Sequence, residues 1–275
     1  MPDTKPIIEL RNIQKTYDGQ LVLDGVNLSF YPGQTTVVIG PSGCGKTVLL
    51  KHIIAIIKPD SGQVLFEGQD ITTMDEHRLE GIRRQMGFLF QGGALFDSMT
   101  VEHNVIFPLE QADAGTPAWR LNRCRQVLSL VGMDGTQGKF PEELSGGQKK
   151  RVALARAIAL NPKVILYDEP TTGLDPIRAD LINELILKLH SALQNTTVAV
   201  THDMASARKI ADRIVMLHQG RIIADAAPAE LEHIDNDIVR RFVTGKANPE
   251  ELAELSTGRL GGGQTASQAE TENDS

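Results

Sequence analysis

Apolar positions along this chain recur with two periods. Over residues 7–39 they alternate with polar positions, the two-residue period of half-buried strands. Residues 7–13 form one such run, a turn falls at Asp18-Gly19, and residues 21–30 form a second run with a break at Asp24-Gly25. A turn at Pro32-Gly33 then precedes an apolar, β-branched run at 35–39. Residues 48–57, apolar but for Lys51 and His52 and closed by Lys58-Pro59, read as helix. Residues 62–66 and 69–71 read as a strand pair around Glu67-Gly68, 75–84 as a short helix, and 86–90 as a brief strand ending at Gln91-Gly92-Gly93.

From about residue 100 to 160 the period becomes helical, with segments at 101–109, 120–131 and 147–160 and a small, polar linker at 111–117. Strand and helix then alternate: strand 163–167, helix 177–193, strand 196–200, helix 204–211, strand 213–217. Such alternation implies parallel strands covered by helices, so the expected class is α/β. Beyond Gly220 come a strand at 221–224 and helices near 227–232 and 237–244, and residues 256–275 are so poor in apolar side chains that disorder is expected there.

Composition narrows this picture. With 41% apolar residues in 275, the chain can bury a core. No run reaches the roughly 18 apolar residues of a membrane helix, and Met-Pro-Asp-Thr-Lys-Pro is not a signal region, so a soluble, cytosolic chain is expected. Two cysteines, Cys44 and Cys124, are too few for a metal cluster or a disulfide framework. A net charge of −7 argues against a nucleic-acid surface. Local basic spots remain, such as Lys149-Lys150-Arg151, which reads as a solvated helix face.

The candidate chemistry begins at Gly40-Pro41-Ser42-Gly43-Cys44-Gly45-Lys46-Thr47, a glycine-rich turn between a strand and a helix. Glycines let successive N–H groups turn inward as an anion nest at a helix N-terminus. Lys46 adds a point charge for the β- and γ-phosphates, and Thr47 a hydroxyl for a bridging Mg²⁺. Asp168 and Glu169 end the strand at 163–167, where side chains of a parallel sheet face the ligand crevice. Asp168 suits the metal shell and Glu169 an attacking water, although adjacent carboxylates are also ordinary strand ends. A second glycine-rich stretch, Leu144-Ser145-Gly146-Gly147-Gln148, opens another helix. It is either a second anion site or a plain helix cap with Ser145 as N-cap.

In content, order and spacing these motifs, with Gln91, Gly173-Leu174-Asp175 and His202, resemble the ATP-binding subunit of ABC transporters over about residues 7–244. The resemblance implies a P-loop NTPase fold with an N-terminal antiparallel β subdomain, a RecA-like parallel core and an inserted helical subdomain at about 92–160. It implies an ATPase domain over 1–245, with a short extension at 246–255 before the tail at 256–275. It also implies ATP and Mg²⁺ as cofactors, and a head-to-tail pair of copies in which each ATP lies between one copy's phosphate loop and the other's pentapeptide. In that family's terms Tyr17 stacks on adenine, Thr47, Asp168 and Gln91 attend Mg²⁺, and Glu169 is the base. His202 senses the γ-phosphate, while Ser145, Gly146, Gly147, Gln148 and Asp175 act across the interface. The stretch from Phe88 to Val101, followed by Asn104-Val105 and Phe107-Pro108-Leu109, resembles the ATPases of Mla-type, MCE-associated lipid transport systems, as do Asp175-Pro176-Ile177 and Arg240 to Gly245. Gln148 stands where many lipid-type relatives carry Met. The implied partners are a transmembrane permease and an MCE-domain lipid-binding protein, with this subunit peripheral on the cytoplasmic face of the inner membrane. An importer of polar amino acids or other solutes shares the catalytic motifs and remains the alternative, and a soluble ABC ATPase without a transport role is a third.

Overall fold

The structure is a computed structural model that describes residues 5–247. The chain divides into two compact units, Met1–Leu231 and Glu232–Ser275. The expected tail at 256–275 and most of the expected extension at 246–255 lie outside the described residues.

In the first unit the chain runs through β1 (Ile8–Tyr17), β2 (Gln20–Phe30), β3 (Thr35–Ile39), α1 (Lys46–Ile53), β4 (Ser61–Phe66), β5 (Gln69–Asp70), α2 (Glu76–Arg83) and β6 (Met86–Leu89). It continues through α3 (Val101–Gln111), α4 (Pro117–Leu130), α5 (Gly146–Ala157), β7 (Val164–Asp168), α6 (Pro176–Leu193), β8 (Thr196–Thr201), α7 (Met204–Ile210), β9 (Arg213–His218) and β10 (Arg221–Ala226). One sheet, ordered β2-β1-β4-β5, is antiparallel throughout. The other is ordered β10-β9-β3-β8-β7-β6. Its strands β9, β3, β8, β7 and β6 are parallel, and β10 closes one edge antiparallel.

Periodicity explains the difference between the sheets. Strands β3, β7 and β8 are buried at every position, as strands covered on both faces must be, and their sequences are apolar or threonine runs but for Asp168 at the end of β7. Strands β1 and β2 alternate because one face is wet. The break expected at Asp24-Gly25 is a register shift within a single strand, with Gly25 at φ +66 where Val26 pairs with Ile13. The helix expected at 48–57 begins two residues earlier and stops at Ile53, because Ala55 turns into the left-handed region at φ +54. The helix expected at 227–232 is absent. A single 3-10 turn, Leu231–His233, forms there instead; the proline at 228 keeps only Ala227 from helical dihedrals.

Helices α3, α4 and α5 pack on one another as the helical subdomain. Thr100 and Thr116 cap α3 and α4, and Pro117 sits where its missing N–H costs nothing. The fully buried Asn104 ties the preceding turn to α3: it accepts from the Phe96 N–H at 2.8 Å and donates to the carbonyls of Phe96, Met99 and Thr100 at 3.0 to 3.1 Å. In the second unit, α8 (Asp237–Thr244) is capped by Asn236 and ends at Gly245 in the left-handed region, matching the helix expected at 237–244.

Candidate nucleotide site

Three adjacent strands deliver the candidate residues to one edge of the parallel sheet. β8 lies between β3 and β7, so the glycine loop after Ile39, the carboxylates at the end of β7 and His202 after β8 all leave the sheet at the same end. β6 pairs with β7 through Leu89 and Tyr167, which brings Gln91 to the same end two residues past the strand.

The glycine loop is shaped by its surroundings. A Cβ on Gly40, at φ +153, would stand 2.2 Å from the Leu217 carbonyl oxygen, and Gly45, at φ +104, begins α1 in a conformation L side chains rarely adopt. Gly45 gives α1 no side-chain cap. Among the described residues α1 is alone in this: Asp75, Thr100, Thr116, Ser145, Asp175, Asp203 and Asn236 cap the other α-helices with their side chains. The first-turn N–H groups of α1 have no intrahelical acceptor, and the positive end of the helix faces the loop. That is an anion site built from backbone. Lys46 is buried over it, donating to the Gly40 carbonyl at 2.8 Å and the Pro41 carbonyl at 3.0 Å. Ser42 and Gly43 are exposed at the loop's crest, and Cys44 is half-buried, its thiol pKa pushed up by burial.

Thr47 and Asp168 meet directly, the Thr47 hydroxyl donating to the Asp168 carboxylate at 2.9 Å. Burial raises the Asp168 pKa, and the neighbouring Glu169 adds to that, against the lowering by the Thr47 hydroxyl, Lys51 and Lys46. A buried carboxylate with a hydroxyl beside it is a pair of hard oxygen donors, and it fits Mg²⁺. Glu169 is buried and held from several sides. Its backbone sits at φ +49, its N–H donates to the Val200 carbonyl at 3.0 Å, and its carboxylate accepts from the hydroxyls of Thr172 at 3.0 Å and Thr201 at 3.4 Å. His202 Nδ1 lies 3.0 Å from the same carboxylate and Lys46 Nζ 3.7 Å from it. A carboxylate only accepts, so this contact is a hydrogen bond with the proton on Nδ1, and the His202 side chain is half exposed.

Other candidates stand apart from this cluster. Tyr17 ends β1 as an exposed residue, 42% accessible, with the Lys15 ammonium 5.4 Å from its ring centroid. Gln91 is exposed and makes no side-chain hydrogen bond to another described residue. The pentapeptide forms a complete capping box: Ser145 Oγ accepts from the Gln148 N–H at 3.3 Å, and Gln148 Oε1 accepts from the Ser145 N–H at 2.9 Å. Ser145, Gly147 and Gln148 open onto a cavity shared with Arg178 and Leu181, which no glycine-loop residue lines. Asp175 caps α6 through the Arg178 N–H and pairs with the Arg178 guanidinium at 3.2 Å.

Two basic residues of α5 were not legible as site residues. Lys150, expected on a solvated face, is only 7% exposed and donates to the carbonyls of Glu169, Pro170 and Thr172. It points inward because α5 presents that face to the loop after β7, and burial lowers its pKa. Arg156 donates to the Gly93 and Ala94 carbonyls, both at 2.8 Å, and so holds the loop that follows Gln91. Beside that loop lies a groove of about 590 Å³, lined by Phe88, Phe90, Phe96, Phe107, Pro108 and Arg156 among others.

A P-loop, the Thr47–Asp168 pair, a buried glutamate beside a histidine and a pentapeptide at a helix start together point to an ATPase of the ATP-binding cassette class. Comparison with known proteins agrees. The family described as ABC transporter matches residues 23–172. The chain is 40% identical over 243 residues to the intermembrane phospholipid transport system ATP-binding protein MlaF of Escherichia coli, covering 88% of this chain and 90% of that one. It is 41% identical over 241 residues to the methionine import ATP-binding protein MetN of Caulobacter vibrioides, covering 86% and 72%. It is 36% identical over 239 residues to the probable ribonucleotide transport ATP-binding protein mkl of Mycobacterium leprae, covering 87% and 69%. Among solved structures, the dimeric post-hydrolysis state of the cassette MJ0796 bound to ADP and Pi superposes with a TM-score of 0.75 at 34% identity, covering 80% of this chain and 98% of that chain. cbiO1 from Clostridium perfringens, part of the transporter complex cbiONQ, superposes with a TM-score of 0.76 at 28% identity, covering 92% and 99%. The chain therefore belongs to the ATP-binding subunits of ABC transporters, and it binds and hydrolyses ATP.

Proposed function

We propose that this chain powers the movement of phospholipid or a related lipid, as the ATPase of a transporter whose permease works with an MCE-domain protein. The observation that carries this reading is the likeness to MlaF, which extends over 90% of that protein, against 72% for MetN and 69% for mkl. The Phe88 to Val101 stretch adds support. Its aromatic side chains line the groove beside Gln91, a concave apolar surface suited to a helix from a membrane partner. None of the described helices is long and apolar enough to cross a membrane itself. On this reading residues 1–245 serve as the ATPase domain, lying against the cytoplasmic face of the inner membrane through the permease.

Two copies pack head to tail. The open N–H groups of α1 and the Lys46 ammonium take the β- and γ-phosphates, Tyr17 stacks on adenine, and the partner's pentapeptide closes over the γ-phosphate. Thr47 and Asp168, with Gln91 alongside, would hold Mg²⁺, which when bound would supply neutralisation of phosphate charge. Glu169 removes a proton from the attacking water as its oxygen bonds to the γ-phosphorus and the bond to the ADP oxygen breaks. His202, fixed by Glu169 through Nδ1, meets the γ-phosphate with its other nitrogen. Asp175 reaches the partner across the interface. Closure follows from tighter binding of ATP by the closed pair, and reopening follows hydrolysis.

The test is purification of tagged Glu169→Gln from detergent-solubilised membranes with ATP present. A small polytopic permease, an MCE-domain protein and bound phospholipid are expected. Recovery of a permease with a solute-binding protein instead would support the second reading, an amino-acid importer, which the 41% identity to MetN favours. Recovery of no membrane protein would point to a soluble ATPase.

A further inference from the structure

Lys150 is the fifth residue of α5, the helix whose first turn carries the pentapeptide. Its ammonium has three N–H donors, and three carbonyls meet them: Glu169 at 3.3 Å, Pro170 at 2.7 Å and Thr172 at 2.8 Å. No carboxylate lies within ion-pairing distance of that nitrogen among the described residues. The charge is buried for the sake of a loop's carbonyls, an arrangement that holds one backbone path and no other. That path includes Glu169 at its positive φ, a conformation a non-glycine residue keeps only when its surroundings impose it. From the same loop Thr172 donates to the Glu169 carboxylate at 3.0 Å, so Lys150 reaches that carboxylate through two linked contacts.

We propose that Lys150 is a positioning residue for hydrolysis: from the pentapeptide helix it fixes the Glu169–Thr172 loop, and with it the direction of the Glu169 carboxylate. The inference rests on Glu169 acting as the base. In a head-to-tail pair it has a further consequence, because the helix that meets the partner's nucleotide then also holds the base of its own site. Movement of α5 on closure at one site is transmitted to the glutamate of the other.

The test is a cycle of Lys150→Met and Glu169→Gln in the full-length protein, with Lys149→Met as a neighbouring charge removal. Rates are normalised to the number of ATP-binding sites, so that loss of folded protein does not count. Lys150→Met is expected to lower kcat about 10- to 100-fold, the cost of a base displaced by a fraction of an ångström to an ångström. KM for ATP should change by less than about threefold, and in the Glu169→Gln background the added loss should fall below about twofold, because the two residues act as one unit. Lys149→Met should leave kcat unchanged. A purely structural lysine would give the same fractional loss in both backgrounds, and that result, or a kcat within about threefold of the parent, overturns the proposal. If Lys150→Met does not fold, Lys150→Arg decides: it keeps donors but places them differently, so it should lower kcat with ATP affinity retained, and unchanged kcat would overturn the proposal. Wild-type-like turnover by Glu169→Gln removes the base assignment itself. An inactive Glu169→Gln beside an active Lys150→Met removes only the role of Lys150.

Discussion

Replacing Glu169 by glutamine isolates the base from its surroundings, because the amide has nearly the same shape. The carboxylate now accepts from Thr172 and Thr201 on one side and faces His202 and Lys46 on the other. An amide oxygen turned toward the two threonines keeps those bonds, and the amide nitrogen then faces His202, whose ring can accept at Nδ1 by exchanging tautomers. The change therefore gives up one charge-assisted bond, about 1.5–3 kcal/mol, and also removes the desolvation of a buried charge, which acts in the opposite direction. For a domain of this size the net shift in Tm should stay within about 5 °C.

The chemical step is affected far more. General-base catalysis contributes about 10²- to 10⁴-fold, or about 3–5 kcal/mol of barrier, so kcat should fall by that factor. Binding should move the other way. The Glu169 carboxylate competes with phosphate for Lys46 at 3.7 Å, and its neutralisation leaves ATP bound as well as before or more tightly. Phosphate release at saturating ATP gives kcat, equilibrium titration with a fluorescent ATP analogue gives affinity, and sedimentation with ATP present shows whether a closed dimer accumulates. A kcat within tenfold of the parent would refute Glu169 as base. Parallel loss of turnover and ATP binding would show that the side chain matters for the loop's shape instead.

How much of this could be read from the residues depends on whether the signal was local. The glycine loop was legible because turn, helix start, lysine and hydroxyl lie within eight consecutive positions, and their chemistry is fixed by backbone geometry. The five parallel strands were legible for a similar reason: their buried positions read as short runs of apolar residues and threonines. Lys150 and Arg156 were not, since a basic residue on a helix looks the same whether it faces water or the carbonyls of a distant loop, at 169–172 for Lys150 and at 93–94 for Arg156. That fact is tertiary and has no local pattern. The same holds for Asn104, whose four hydrogen bonds to the turn after Gln91 require the fold. The missing helix at 227–232 failed differently. The proline at 228 bars only Ala227 from helical dihedrals and is itself a good first helical residue, so nothing local in these residues told a helix from the turns that form.

Further perturbations test separate parts of the structure. Lys46→Ala removes the buried ammonium above the loop and should weaken ATP binding about 10- to 150-fold, the worth of a charge-assisted hydrogen bond, as read by the same titration. Gly87→Ala drives a Cβ to 2.5 Å from the Ala157 carbonyl oxygen at the end of α5, and such overpacking, about 1–3 kcal/mol, should lower Tm by some 3–10 °C in a thermal melt. His52 is buried on α1 with Nδ1 against the Val48 carbonyl at 2.7 Å and Nε2 without a partner, and burial lowers its pKa below the ordinary value. Below about pH 6.5 the unfolded chain therefore takes up a proton that the folded chain refuses. Stability present above that pH is lost as pH falls toward the lowered folded value, and His52→Leu should flatten this part of the Tm-against-pH curve; an unchanged slope would exclude His52 as its source. Ser145 separates capping from ligand binding. Its Oγ accepts from the Gln148 N–H, yet a hydroxyl also has one proton to donate, so the cap can stay closed while the hydroxyl donates to a phosphate oxygen of the partner's ATP. Ser145→Gly retains a good cap, at a cost of only a few tenths of a kcal/mol, and removes that donor. In the Glu169→Gln background it should leave Tm within about 2 °C of the parent and raise the ATP concentration needed for the closed dimer about tenfold or more. A dimer that forms at the parent's ATP concentration would mean that the pentapeptide contributes shape to the interface and no hydrogen bond to the nucleotide.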